Sequence, residues 1–299
     1  MSPHRGEVPD PPKAPESVQV MDTGAQPFLT RAERRRAREV HGSDVELPPV
    51  AHLPRYLALI ATVAGVIFVA VSAAAGPVIL LLALLIGSLI VAWGWPRAAG
   101  LPSPKGSSAV LAIASLLLMG LVAAAETDPR LRWASAALAL GLVAMFIHQL
   151  TRRDGRPRLT ESVMGTSLGL VIIASGAAYL PLVHLAIGPQ LIACAMAAIA
   201  AGCAADLLVG MPAVRPWLLP MSMVLGGIAS VLASLVLSAP ALPPAALIGV
   251  SAAALSHVTR RLLSPEAGSY SSQGQIATGV ASIAMVGSLL WAINALVVR

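Results

Sequence analysis

Charge is what this chain has least of. Only 11% of its 299 residues are Asp, Glu, Lys or Arg, where a soluble domain carries about 25%. A soluble globular fold is excluded, because 57% of the residues are apolar and folding in water could not hide so much apolar surface. Cysteine is nearly missing too. Cys194 and Cys203 stand nine positions apart, on opposite faces of one helix, so they cannot pair within it and read as small apolar fillers. That excludes a disulfide-rich secreted domain. Aromatics make up 4%, too few for base-stacking platforms, so a net charge of +6 and a pI near 10.1 do not indicate a nucleic-acid partner. Lysine occurs only at Lys13 and Lys105, against 18 arginines, and with abundant alanine this fits a bacterial GC-rich genome. No secretory signal peptide is read, since the first apolar run starts near Tyr56.

What charge there is sits unevenly. Positions 1–55 hold 16 of the 34 charged residues, and the other 244 positions hold 18. The chain therefore reads as an all-α polytopic membrane protein (residues 55–299) behind a soluble basic tail (residues 1–54). The tail has nine prolines and no apolar period, a disordered composition. One segment, near 30–40, reads as a short helix, with Thr30 and Glu33 at capping-box spacing. It gathers Arg31, Arg34, Arg35, Arg36 and Arg38, each able to contribute about 1 kcal/mol of attraction to anionic inner-leaflet lipids. The same segment also reads as a solvated helix that enforces orientation, or as a dock for a protein partner.

About nine spans are long enough to cross a bilayer: 56–75, 77–95, 108–125, 133–150, 161–181, 189–209, 218–238, 243–262 and 275–297. Gly76-Pro77, Pro96, Asp154-Gly155, Gly188-Pro189, Pro212 and Pro243-Pro244 mark the breaks. With the tail inside, inside loops hold nine basic residues: Arg97, Lys105, Arg152, Arg153, Arg156, Arg158, Arg215, Arg260 and Arg261. Outside segments hold three: Arg130, Arg132 and Arg299. The positive-inside rule then puts the N-terminus in the cytoplasm of a bacterial plasma membrane and the C-terminus outside. All five tryptophans fall near span ends and read as interfacial anchors.

An echo runs through the chain. His148-Gln-Leu-Thr-Arg-Arg153 ends span four and His257-Val-Thr-Arg-Arg261 ends span eight, while Gly94-Trp-Pro96 is matched by Gly210-Met-Pro212. The offset of four spans implies two parallel four-helix repeats, 77–181 and 189–297, with span one extra. The two His/Arg corners would then face each other on the cytoplasmic side.

Ionisable residues inside a membrane are costly and so point to function. Here the candidate polar site is Asp206, His148, His257, Arg152, Arg153, Arg260, Arg261 and Glu161, all near cytoplasmic span ends. Asp206 has Arg215, Arg260, Arg261 and Arg152 as available partners. Two readings stay open: a paired charge at headgroup level, or a cytoplasm-facing pocket whose arginines take a phosphate or carboxylate. Clustered acids for Mg²⁺-pyrophosphate, HExxH, CxxC and Gly-x-Ser-x-Gly are all missing, so no metal, cofactor or enzyme chemistry is read. Gly165-x-x-x-Gly169 and Gly226-Gly227 read as packing positions, and no Gly/Pro-broken pair of half-helices stands out. These features suggest a permease for a small molecule or lipid. The alternative is a non-transporting scaffold or assembly factor that acts through its tail.

Overall fold

The computed structural model describes residues 53–125, 130–152, 155 and 158–298, all of which belong to the unit Leu47–Arg299. The basic helix expected near 30–40, with its five arginines, lies outside the described residues, as does Arg153. The described residues are all-helical apart from turns.

Nine helices among the described residues are long and apolar enough to cross a membrane. They are α1 (Tyr56–Ala75), α2 (Pro77–Ala98), α3 (Pro104–Ala123), α4 (Ala134–Thr151), α5 (Leu159–Leu182), α6 (Gly188–Gly210), α7 (Arg215–Leu237), α8 (Leu242–Leu262) and α9 (Ser272–Val298). Even the shortest, at 18 residues, reaches about 27 Å at 1.5 Å per residue. Outward faces carry Ile60, Val71, Val78, Leu150 and Val236, all exposed, and a surface so apolar belongs in hydrocarbon.

Helix limits follow local chemistry. Helix α3 starts at Pro104, earlier than expected, because proline fits the first turn, where its missing N–H is no loss. Helix α2 runs through Pro96 to Ala98 rather than stopping before the proline. Its last turn is closed by Ala99 N–H donating to Trp95 O at 2.9 Å and Leu101 N–H donating to Pro96 O at 2.9 Å. Helices α1 and α2 are joined by Gly76 alone, at φ +122°, a backbone region L side chains rarely adopt.

Helices α5 and α6 are the most enclosed spans, and α4 and α7 the most peripheral. Helix α1 packs against α6, α9 and α2, while α6 packs against α7 and α8. At the α7–α8 crossing, Gly226 and Gly249 bring the two backbones together so closely that a Cβ on either would collide with the other helix. Ser230 Oγ donates to Ala245 O at 2.7 Å across the same crossing.

Two results depart from the sequence reading. Trp95 is fully buried and donates its indole N–H to Gly165 O of α5 at 2.9 Å, so it is a core residue and not an interfacial anchor. It can sit there because Gly169 leaves room on α5 for Trp95 and for Leu111 of α3, while Gly165 makes room for Leu101 of the connecting loop. Trp93, Trp133, Trp217 and Trp291 stay exposed, as anchors should. Helix α9 is also interrupted at Met285, between the segments Ser272–Ala284 and Val286–Ile293, with neither Gly nor Pro at the break. Side chains of α5 satisfy the disturbed backbone. Ser175 Oγ donates to Met285 O at 2.8 Å and accepts from Ser288 N–H at 3.1 Å, while Tyr179 Oη donates to Ile283 O at 2.9 Å. A narrow cavity lies beside this break, lined by Val69, Gly87, Ser88, Met119, Gly176 and Ile283 among others.

Because successive spans reverse direction, the starts of the odd helices share one face with the ends of the even ones. Contacts between those ends agree: Leu57 N–H donates to Gln275 Oε1 at 3.1 Å, Arg158 Nη1 donates to Gly100 O at 3.2 Å, and Arg97 Nη1 donates to Gln273. We call it the basic face.

Candidate functional site

At the basic face the end of α8 reads Ser256-His257-Val258-Thr259-Arg260. Positions 256, 257 and 260 fall on one side of the helix by the spacing of three and four, and Val258 points outward. That side faces the end of α6, where Asp206 is the last residue before a tighter turn, Leu207–Gly210. Arg260 Nε donates to Asp206 Oδ2 at 2.6 Å, and Arg260 Nη1 donates to Ser256 Oγ at 2.6 Å. His257 Nδ1 stands 2.9 Å from Asp206 Oδ1, at ion-pair distance but off the line of a ring N–H hydrogen bond. Asp206 and His257 are 6% exposed and Arg260 is 2% exposed. A buried carboxylate and guanidinium survive there because each supplies the other's countercharge.

A third cation joins them from the start of α1. Arg55 is 6% exposed and lies with its guanidinium carbon 5.7 Å from the centre of the Tyr270 ring. Burial, and then the nearby Arg261 charge, push the Arg55 guanidinium down to about 10, so it stays charged at neutral pH. Burial moves the Tyr270 phenol the other way, up from its usual value. Arg55, Ala58, Leu59, Asp206, Arg260 and Arg261 wall a small recess. Arg55 Nη1 and Arg260 Nη2 are buried without a hydrogen-bond partner.

Of the residues expected at one site, Asp206, His257, Arg260 and Arg261 come together. His148, Arg152 and Glu161 lie on the same face but in another setting, around α3, α4 and α5. His148 rests on Gly106, with Nε2 3.3 Å from Ser103 Oγ. Arg152 Nη1 donates to Gln149 Oε1 at 3.0 Å, and Gln149 Nε2 donates to the buried Ser162 Oγ at 2.7 Å. Glu161 accepts from Arg158 Nε at 2.6 Å on the exposed surface, a pairing that raises the Arg158 guanidinium above its usual value. The two histidine corners thus occupy unlike surroundings. Arg215, another available partner for Asp206, donates its Nε to Val209 O at 3.0 Å.

Sequence reasoning passed over Arg55, the first residue of the expected bundle, and Tyr270, Gln149 and Ser162. The signal for Arg55 was its place directly before the first apolar run, where a basic residue lies at the edge of a span. Cys194 and Cys203 are both free and buried, one on each side of α6, because neighbours enclose that helix all round. Among the described residues no group of three or more His, Cys, Asp or Glu is placed to hold a metal ion. No protein-family model matches the chain, and no curated protein or solved structure is significantly similar to it.

Proposed function

We propose that this integral membrane protein is a permease for a small molecule or lipid, with its polar site at the cytoplasmic end of the bundle. The observation that carries the reading is the buried Asp206–His257–Arg260 group, which borders a recess with unpartnered guanidinium donors. Holding ionised groups in a bundle end is expensive, and packing alone does not require it. The cytoplasmic assignment rests on the loop arginines.

Site-directed labelling tests the reading without knowing the substrate. Ser88→Cys on the interior cavity and Leu59→Cys on the recess are placed singly in a Cys194→Ser, Cys203→Ser background. A membrane-impermeant thiol reagent applied to right-side-out and inside-out vesicles should label Ser88→Cys from both sides. Labelling of Leu59→Cys from one side only, with Ser88→Cys inert from either, would sink the permease and favour a scaffold acting through residues 1–54.

A further inference from the structure

The recess between α1, α6 and α8 has the chemistry of an anion site. Its walls carry Arg55, Arg260 and Arg261 against a single acid, Asp206. Asp206 Oδ2 accepts from Arg260 Nε at 2.6 Å, while Oδ1 lies 2.9 Å from His257 Nδ1 without a hydrogen bond, so one acid stands against three arginines. The balance around the recess is positive. Two donors also have nowhere to go: Arg55 Nη1 and Arg260 Nη2 are buried and unpartnered, on residues 6% and 2% exposed. Natural proteins seldom leave buried donors unsatisfied, and leaving a charged one so is the costlier case.

The arrangement also favours one anion class. A planar carboxylate is best met by a single guanidinium presenting two parallel N–H bonds. Here the donors come from different helices, Arg55 before α1 and Arg260 near the end of α8, with Arg261 on the same wall. Donors converging from separate directions suit a tetrahedral anion whose oxygens diverge. The depth of the recess has room for about one water-sized group, so a single phosphate oxygen would enter while the rest of the group stays at the mouth. We infer that this recess binds an anionic phosphate group, through Arg55, Arg260 and Arg261. The inference names the substrate class of the proposed permease and rests on that reading.

The test uses the full chain purified in detergent and then in nanodiscs. Thermal unfolding is followed with inorganic phosphate at constant ionic strength, with chloride as the control anion. Retention of phosphatidic acid against phosphatidylcholine at equal mole fraction is followed by native mass spectrometry. Wild type should respond to one probe or both. Stabilisation by inorganic phosphate identifies a soluble phosphate as ligand, and selective retention of phosphatidic acid without it identifies a lipid headgroup. Arg55→Gln should weaken the response at least tenfold while the unliganded protein stays folded, and Arg55→Lys should restore part of it. Arg261→Gln provides a second variant with an intact core ion pair. No response to either probe in wild type overturns the inference, as does an unchanged response in both Arg55→Gln and Arg261→Gln. Two-sided labelling of Ser88→Cys alongside a failed phosphate response would remove the phosphate site and leave the permease. A phosphate response with Ser88→Cys inert would do the reverse.

Discussion

Removing the Arg260 guanidinium leaves the buried Asp206 carboxylate without its one hydrogen-bonded cation. Breaking a buried pair from one side costs about 3–5 kcal/mol, so Arg260→Gln should lower the unfolding midpoint strongly. The double variant Asp206→Asn, Arg260→Gln should recover much of that loss, and a denaturant titration of wild type, both single variants and the double in detergent measures the coupling. Arg55 works in the opposite sense. Its guanidinium is held down to about 10 while the unfolded chain keeps the normal value, so burial of the charge destabilises the fold at neutral pH. Arg55→Gln should therefore stabilise the unliganded protein by an amount on the order of 3 kcal/mol. The gap between variant and wild type should be flat from about pH 6 to 9. Above about pH 10 the folded wild type sheds the proton before the unfolded chain does, so the gap should narrow. A gap that widens there would contradict the assignment. Glu161→Gln, which breaks only an exposed pair, should leave the midpoint unmoved.

Residue chemistry was half legible from the sequence. Asp206 and Arg260 stood out because ionised groups within apolar runs are rare, but their pairing was one option among several. What decided it was the packing of α6 against α8, and Arg55 became relevant only because α1 packs against α6. Apolar helices resemble one another, so no pattern in the letters says which span neighbours which.

Among the helices the reading did better, since the length and apolarity that define a span are written locally. The observed limits fall within a few residues of those expected, and the exceptions are local as well. A proline at the first turn of α3 extends that helix, and Pro96 so close to the end of α2 does not stop it. The break in α9 was invisible because its cause is tertiary: Ser175 and Tyr179 of α5 take up the carbonyls of Met285 and Ile283. Glycines sort in the same way. Gly249→Ala puts a methyl into the α7 backbone and should cost about 1–3 kcal/mol, whereas Gly120→Ala, with open space around it, should be neutral or gain up to about 1 kcal/mol. Thermal unfolding of the two variants separates them.

For the molecule as a whole, an odd number of described spans would put residues 53 and 298 on opposite sides of a bilayer, and the proposed orientation takes its sign from the loop arginines. A fluorescent-protein fusion at the N-terminus should shine, and an alkaline phosphatase fusion after Val298 should be active. The reverse pair of results would invert the orientation and move the arginine-walled recess to the outside.

The single-residue link at Gly76 bears on how the protein is made. Between α1 and α2 almost no polar backbone has to be carried across the bilayer, so the two helices can enter as one closed hairpin with nothing to translocate. Insertion of the bundle then begins without a loop to push through, and it sets Arg55 at the membrane surface before α6 and α8 are synthesised. The recess can close only late, when the carboxylate of Asp206 and the end of α8 arrive beside an arginine already in place.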